Sequence, residues 1–131
     1  MGDDQVNKVL KEGILGKPEL KADEKRVFLG NFAERVKIAL TNGQVYKKGM
    51  YEEVVHKMKD TQLHLYINGR LPYQSYNNYV KEATKHGVPF TIHAEAGDTP
   101  VGLVLASDKP VFEQEKFIED DIFKHDMEHS G

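Results

Sequence analysis

The residues at 63–67, followed by Asn68-Gly69-Arg70, constrain the fold of this chain more than any other stretch. They alternate apolar and polar side chains, are rich in residues that favour strands, and end in a turn signal. Sequences with helical periodicity lie on both sides. The run is therefore predicted to be the middle strand of a β-α-β-α-β series, which places the chain in the α/β class. In open α/β sheets, ligands bind beyond the carboxyl ends of strands, so the turn at 68–70 is the first place to seek a site.

The composition is that of one folded domain. The 131 residues are 39% apolar and 30% charged, and a chain of this length buries a substantial core. The absence of cysteine excludes disulfides, thiolate metal sites and cysteine nucleophiles. The acidic start at residues 1–4 does not resemble a secretory signal, and no apolar stretch approaches the length of a membrane span. These features lead us to expect a cytoplasmic protein.

Charge is distributed unevenly along the chain. Residues 1–90 hold 15 Lys/Arg against 11 Asp/Glu, a net of +4, whereas residues 91–131 hold 3 against 10, a net of −7. We expect a single α/β domain over 1–110, followed by an acidic helix or tail over 111–131. An acidic segment of this kind is either an interaction tail or a solvated helix, and the second interpretation is the more ordinary one.

Periodicity predicts the order of the elements. Alternating apolar residues predict four strands, at about 34–40, 63–67, 90–95 and 101–106. Helical spacing predicts helices at about 6–14, 50–58, 71–87 and 111–126, with Gly87 as the left-handed residue that ends the third. The resulting β-α-β-α-β-β order predicts a mixed sheet with additional terminal helices. The last strand is apolar on both faces, which favours a position inside the sheet.

One face of the predicted sheet lacks a cover. Right-handed crossovers place both central helices on the same face. The opposite face then presents His64, Tyr66, His93 and Glu95, and we expect either the terminal segments or a second subunit to cover it.

Three runs resemble the YueI-like family of small uncharacterised bacterial proteins: FLGNFAERV at 28–36, YING at 66–69 and GLVLA at 102–106. The likeness extends over roughly residues 10–110, and the stretch at 29–36 is its most specific part. The resemblance implies a sheet of order 1-4-2-3 with strand four antiparallel. That topology is shared with Bacillus-type chorismate mutase and with L30e-like RNA-binding proteins. The family supplies neither an activity nor catalytic residues, and fold alone does not choose a function.

The turn after the central strand is the first candidate site. Asn68, Gly69 and Arg70 combine an amide, a flexible backbone and a guanidinium, which suit a phosphate or carboxylate ligand. His93 and Glu95 are expected close by, at the end of the next strand. Asn-Gly is equally a strong turn dipeptide without any function, and that interpretation is the more ordinary one.

Histidines are the second set of candidates. His64, His93 and Glu95 are predicted to share a sheet face, where they could bind a divalent metal or perform acid–base chemistry. His125 and His129 have the i, i+4 spacing that can chelate a metal on a helix. Histidines on a half-buried face more often serve as packing residues, so the sequence predicts no metal site.

Charged and aromatic residues offer two further interpretations. Arg35 is expected to form a structural ion pair with Asp23 or Glu24, because adjacent strand residues such as Glu34 point to the opposite face.

Tyr73 and Tyr79 are predicted to lie outside the core, near Lys81 and Lys85, where tyrosines could stack on RNA bases. An ordinary amphipathic helix explains the same pattern and is favoured.

Three functions stay open on the sequence. No phosphate-binding loop, dinucleotide fingerprint, serine elbow or zinc-protease motif is present, and we predict neither catalytic residues nor a cofactor. The first hypothesis is a non-enzymatic binding or regulatory module for RNA or another anionic partner. The second is a protein or enzyme that binds a small anionic metabolite beyond the second strand, at Asn68, Gly69, Arg70, His93 and Glu95. The third is a structural homo-oligomer or an adaptor for another protein.

Overall fold

The structure is a computed structural model, and it describes residues 25–60 and 62–129. The strands are β1 (Val36–Thr41), β2 (Leu63–Asn68), β3 (Phe90–His93) and β4 (Val101–Ser107). The helices are α1 (Asn42–Tyr46), α2 (Glu52–Lys57), α3 (Tyr73–Lys85) and α4 (Asp121–His129), and a 3-10 turn at Ala33–Arg35 precedes β1.

The four strands form one mixed sheet of order β1-β4-β2-β3. β2 and β3 are parallel, whereas β4 runs antiparallel to both of its neighbours. The expected order and the central place of β4 are therefore confirmed. The cause is visible in the burial of β4, since every residue from 101 to 106 is buried. Fully burying a large aliphatic side chain contributes about 1.5–3 kcal/mol, so this strand is stable only with both faces covered.

The two central helices cover one face of the sheet, as the handedness argument predicted. Val54 and Met58 of the α2 region and Tyr79 and Ala83 of α3 are at most 1% exposed. They pack in one core cluster with the inward residues of the strands, which include Ile38, Leu40, Leu65, Ile67, Leu103 and Leu105. α3 follows Pro72, which is its N-cap, and Gly87 has the predicted left-handed conformation with φ of 73°.

The opposite face is covered over β1 and β4. Phe28, Leu29 and Ala33 pack on this half of the sheet, and Phe117 joins them from the C-terminal segment. The strand residues beneath are Val36, Ala39, Val104 and Ala106. On the half over β2, His64 and Tyr66 are only half-buried. Segments outside the sheet therefore cover this face over β1 and β4, as predicted, where the strands carry small and aliphatic side chains.

Several predicted boundaries are wrong at the ends of the strands. β1 begins at Val36 rather than at 34, because Ala33–Arg35 forms a 3-10 turn. β3 ends at His93, and Ala94 and Glu95 belong to the turn that follows.

The short helix α1 follows β1 directly. Thr41 and Gln44 form a capping box at its start, in which each side chain accepts a hydrogen bond from the other residue's backbone.

The last helix begins ten residues later than predicted, at Asp121 rather than at 111. Proline at 110 and the loose apolar spacing after it do not sustain a helix, and Ala39 instead forms a parallel bridge with Phe117. Asp120 caps the helix that does form, because its Oδ1 accepts a hydrogen bond from the Phe123 amide at 2.9 Å. The N-terminal helix predicted at 6–14 lies outside the described residues.

The acidic C-terminal helix is docked on the sheet domain. Phe123 and Met127 are buried, at 5% and 1% exposure. The Asp126 carboxylate accepts a hydrogen bond from the Gly43 amide at 2.7 Å, at the start of α1. Negative charge is favourable at a helix start, so this carboxylate stabilises α1 while it anchors α4.

Gly43→Ala is expected to destabilise the protein although alanine is the better helix former. A Cβ at this position would lie 2.5 Å from Asp126 Oδ2 and 3.0 Å from Ile122 Cγ2. We expect a loss of about 1–3 kcal/mol in the free energy of unfolding, measured by urea denaturation. In an Asp126→Ala background the same substitution should cost much less, because the main clash is gone. An equal cost in both backgrounds would show that α4 does not dock on Gly43.

Candidate functional site

The side chain of Asn68, at the end of β2, is fully engaged inside the protein. The residue is 2% exposed. Its Nδ2 donates to the carbonyl oxygen of Val101 at 3.2 Å and to Oδ1 of Asn42 at 3.3 Å. Its Oδ1 accepts from the Arg70 amide at 3.0 Å. Both hydrogens of the side-chain amide therefore donate to neighbouring segments, and the side-chain oxygen stabilises the turn at 68–70.

Gly69 is required by the close approach of the next strand. Its amide donates to the carbonyl oxygen of His93 at 3.0 Å. A Cβ at Gly69 would lie 2.9 Å from the Cα of Ala94, a backbone atom that cannot move aside cheaply. The glycine thus extends the β2–β3 pairing by one more hydrogen bond, which is a structural role.

Arg70 carries the exposed charge of the turn. Its side chain is 57% exposed, and Nη1 lies 2.7 Å from Oδ1 of the fully exposed Asp98. An ion pair in water of this kind contributes little to stability. Arg70 is therefore the residue of this turn whose polar group faces solvent.

Hydrogen bonds close the crevice beyond the strand ends. Asn42, directly after β1, accepts from Asn68 and donates through Nδ2 to the carbonyl oxygen of Thr99 at 2.9 Å. The Thr99 hydroxyl donates to the carbonyl oxygen of Val27 at 2.8 Å and accepts from the Val101 amide at 3.2 Å. At the carboxyl ends of β1 and β2, where an α/β sheet usually binds its ligand, side chains of the protein itself therefore form the hydrogen bonds.

Sequence reasoning missed Asn42 and Thr99. The available signal was the repetition of the Asn-Gly dipeptide, at 42–43 and 68–69, after two strands that are parallel to each other. Because such strands end at the same edge of the sheet, the two asparagines meet there and bond to each other.

The five predicted ligand residues lie along one edge but differ in their surroundings. His93 is half-buried, and its Cε1 lies 3.6 Å from the position that a Cβ on Gly30 would occupy. Glu95 is exposed in the turn after β3. The backbone hydrogen bond from the Gly69 amide to the His93 carbonyl oxygen places these two residues side by side. A ligand-binding role for the five residues, Asn68, Gly69, Arg70, His93 and Glu95, stays a prediction.

The His64 side chain packs against Thr91 and Tyr66. Its Nε2 lies 2.7 Å from the Thr91 hydroxyl, and its ring stacks on Tyr66 at 4.4 Å between centroids. Burial lowers the pKa of His64 below its ordinary value, which favours the neutral ring. Within residues 25–60 and 62–129, no group of three or more His, Cys, Asp or Glu residues could hold a metal ion.

The prediction that Tyr79 lies outside the core is wrong. The residue is 1% exposed, and its hydroxyl accepts a hydrogen bond from the Tyr51 amide at 2.9 Å. Its position three residues after Tyr76 places it on the inner face of α3, so it cannot stack on a base. Tyr73 is 60% exposed, as expected.

Arg35, in the 3-10 turn before β1, donates from Nη1 to the carbonyl oxygen of Asp108, just after β4, at 2.8 Å. The partners predicted for it, Asp23 and Glu24, lie outside the described residues.

A second polar cluster joins the C-terminal segment to the domain. The Tyr51 hydroxyl donates to Asp120 Oδ2 at 2.5 Å, and Gln44 Nε2 donates to Asp120 Oδ1 at 3.0 Å. Gln44 also donates to the carbonyl oxygen of Ile118 at 2.7 Å. Lys47 Nζ lies 4.5 Å from the centre of the Tyr51 ring. These contacts link the segment before α4 to α1 and to the start of α2.

The ionisation of this cluster follows from its contacts. Burial raises the pKa of Tyr51, and the hydrogen bond to Asp120 raises it further. Burial alone would raise the pKa of Asp120, but the hydrogen bonds from Tyr51, the Phe123 amide and Gln44 outweigh it, and the pKa is lowered. At neutral pH a neutral tyrosine therefore donates to an ionised carboxylate. With Tyr51 only 6% exposed, the pair serves as a structural anchor.

The family of the chain follows from comparison with known proteins. The fold is a four-stranded mixed α/β sheet with β4 inserted antiparallel. The chain belongs to the family described as "Protein of unknown function (DUF1694)", whose model matches residues 3–117.

It is similar to the uncharacterized protein YueI of Bacillus subtilis (strain 168), with 40% identity over 129 residues, 97% of this chain and 98% of YueI. The crystal structure of YueI from Bacillus subtilis matches with a TM-score of 0.83, also at 40% identity, and covers 95% of this chain and 98% of that one.

These comparisons confirm the resemblance found in the sequence and the fold that it implies. Neither the family description nor the name of the relative states an activity, so the function is unknown. In the described part of the chain, no helix is long and apolar enough to cross a membrane.

Asn68→Ala is expected to destabilise the protein strongly, whereas Arg70→Ala is expected to be nearly neutral. The first change removes three hydrogen bonds and leaves the buried Val101 carbonyl without that partner. We expect a loss of about 2–4 kcal/mol in unfolding free energy for Asn68→Ala, and less than about 0.5 kcal/mol for Arg70→Ala. Urea denaturation measures both. Equal effects of the two substitutions would contradict the structural role of Asn68.

Asp120 is expected to contribute to acid sensitivity. Because its folded pKa is lowered, its contribution to stability is present above its unfolded pKa of about 4 and is lost as the pH falls through the folded pKa. The unfolding free energy of Asp120→Asn should therefore fall less steeply below about pH 4 than that of the parent protein. Glu119→Gln, a neighbouring exposed residue, is the control. Parallel pH profiles for Asp120→Asn and the parent would refute this role.

Proposed function

We propose that this protein is a non-enzymatic binding module that accepts an additional β-strand on the outer edge of β3. The observation that supports this proposal is the exposure of that edge. Within the described sheet β3 pairs with β2 alone, and its Phe90 and Ile92 side chains are 43% and 37% exposed.

The backbone of the outer edge supports strand addition. Pro89 and His93 direct their carbonyl oxygens towards β2, where the amides of Leu65 and Gly69 donate to them. Because backbone directions alternate along a strand, the amides and carbonyls of Phe90 and Ile92 point away from the sheet. Among the described residues, no backbone group bonds to Phe90 or Ile92 on the outer side, so two residues with apolar side chains present hydrogen-bonding groups to a partner.

The residues of the edge include few of the features that usually protect one. Exposed edge strands are commonly protected by short length, lysine, proline or a bulge. β3 is short, at four residues, but the residues from Phe90 to His93 include no lysine, proline or bulge. Strand addition to such an edge is a common mode of peptide recognition, in which backbone bonds supply affinity and alternate side chains supply specificity.

Other observations favour a protein partner over RNA. Asp120 and Asp126 of the acidic C-terminal segment are engaged by Tyr51 and Gly43, so this segment does not act as a free tail. Tyr79, one of the two tyrosines considered for base stacking, is buried. The RNA and metabolite hypotheses, and the cytoplasmic location, stay predictions.

Selection of displayed peptides tests the proposal. A library of random extended peptides is panned against the parent protein and counter-selected against Ile92→Pro. Proline at 92 removes an outward amide and replaces an exposed side chain, but it removes no backbone bond to β2, so the β2–β3 pairing and the fold should persist. We expect recovered peptides to bind the parent and Tyr73→Lys, which removes an exposed tyrosine elsewhere, and to lose at least about tenfold in affinity for Ile92→Pro.

Amide shifts at Phe90 and Ile92 on peptide addition, measured by NMR, should localise the binding. Recovery of no edge-dependent peptide would overturn the proposal.

A further inference from the structure

We infer that the strand added to β3 is β3 of a second copy of this chain, paired antiparallel about a two-fold axis at Thr91. This inference rests on the proposed function, because it names the partner of the same edge. The result would be one continuous sheet across two copies.

The direction of the backbone groups selects the register. In an antiparallel pair, residues with outward backbone groups must lie opposite each other, so Phe90 and Ile92 can face only one another or themselves. Centring the pair on Thr91 places Phe90 opposite Ile92 of the partner copy, and places Ile92 opposite the partner copy's Phe90. Both outward residues then pair within the strand, which gives about four hydrogen bonds between the copies. Centring on Phe90 would place Ile92 opposite Val88 of the other copy, and centring on Ile92 would place Phe90 opposite Ala94, so two of the three outward pairs would include a residue outside the strand.

The side chains of this register complement each other. An aromatic residue opposite a β-branched residue is a favourable cross-strand pair. The two-fold axis produces the Phe90–Ile92 pair twice, on the face where both side chains are exposed. The strand contains no Lys, Arg, Asp or Glu, so two copies meet along it with no like-charge repulsion.

Charge at the two ends of β3 favours a second copy in the same orientation. Glu95 is exposed two residues beyond the end of the strand, and Lys85 is exposed at the end of α3, five residues before the start of β3. The antiparallel register brings the end of one β3, which Glu95 follows, towards the start of the other, which Lys85 precedes. Opposite charges therefore meet at both ends of the interface, whereas a parallel arrangement would bring like charges together.

Cross-linking through cysteine tests the axis directly. The chain contains no cysteine, so Thr91→Cys introduces a single thiol. Thr91 would form a non-hydrogen-bonded pair across the axis, with Cβ atoms about 4.5–5.5 Å apart, and small adjustments bring this distance into the range of a disulfide. We expect Thr91→Cys to form a covalent dimer at least tenfold faster than Tyr73→Cys, an exposed position elsewhere, at equal concentration. Equal rates for the two variants would overturn the inference.

Sedimentation of the unmodified chain tests the association itself. The contact is small beside a stable interface, so we expect the dimer fraction to rise between about 5 and about 500 μM. Lys85→Glu and Glu95→Lys should each weaken the dimer, and the double substitution should restore it because the opposite charges are exchanged. Folding of every variant is checked by circular dichroism.

The two proposals can fail separately. A monomer at every concentration, with edge-dependent peptide binding intact, would overturn the second-copy inference and leave the proposed function standing. A dimer that tolerates Ile92→Pro would also overturn the inference, because it would use another surface. Loss of both dimerisation and peptide binding would remove both proposals.

Discussion

The insertion of β4 between β1 and β2 sets the position of every other element of the sheet. Its residues from 101 to 106 are buried on both sides, so the strand needs a neighbour on each edge and a cover on each face. The helices supply one cover, and Phe28, Leu29 and Phe117 supply most of the other. Once β4 occupies the centre, β2 becomes an interior strand and β3 is left at the edge.

The same insertion brings the ends of β1 and β2 together with the beginning of β4. Three segments that are distant in sequence meet there, and side chains bond to backbone groups of the turn after β2 and of the segment at the start of β4. Asn42, Asn68 and Thr99 satisfy these groups by bonding to one another and to adjacent carbonyl oxygens. Gly102 allows the approach, because a Cβ there would lie 2.9 Å from Asn42 Oδ1. Buried polar groups are costly when unpaired, so this network is a condition of the topology.

The crevice at the strand ends is closed by internal hydrogen bonds, whereas the outer edge of β3 is exposed. The crevice is where an open α/β sheet normally holds a ligand, but here its amide groups are used internally. The edge of β3 differs, since the backbone groups of Phe90 and Ile92 point outward and their side chains are partly exposed. The C-terminal segment adds a second contrast. Its acidic residues include two, Asp120 and Asp126, that act as structural anchors for α1 and α4.

The α/β class, the four strands, the two central helices and the interior place of β4 could all be predicted from the amino-acid sequence. These follow from local spacing of apolar residues, as in the alternation at 63–67 and the two-sided apolarity at 101–106. Three other features depend on the folded chain: Asn42 meets Asn68, Tyr79 is buried against Tyr51, and α4 begins at Asp121. Periodicity predicts which face of an element is buried, but the role of a polar side chain depends on partners tens of residues away in the sequence.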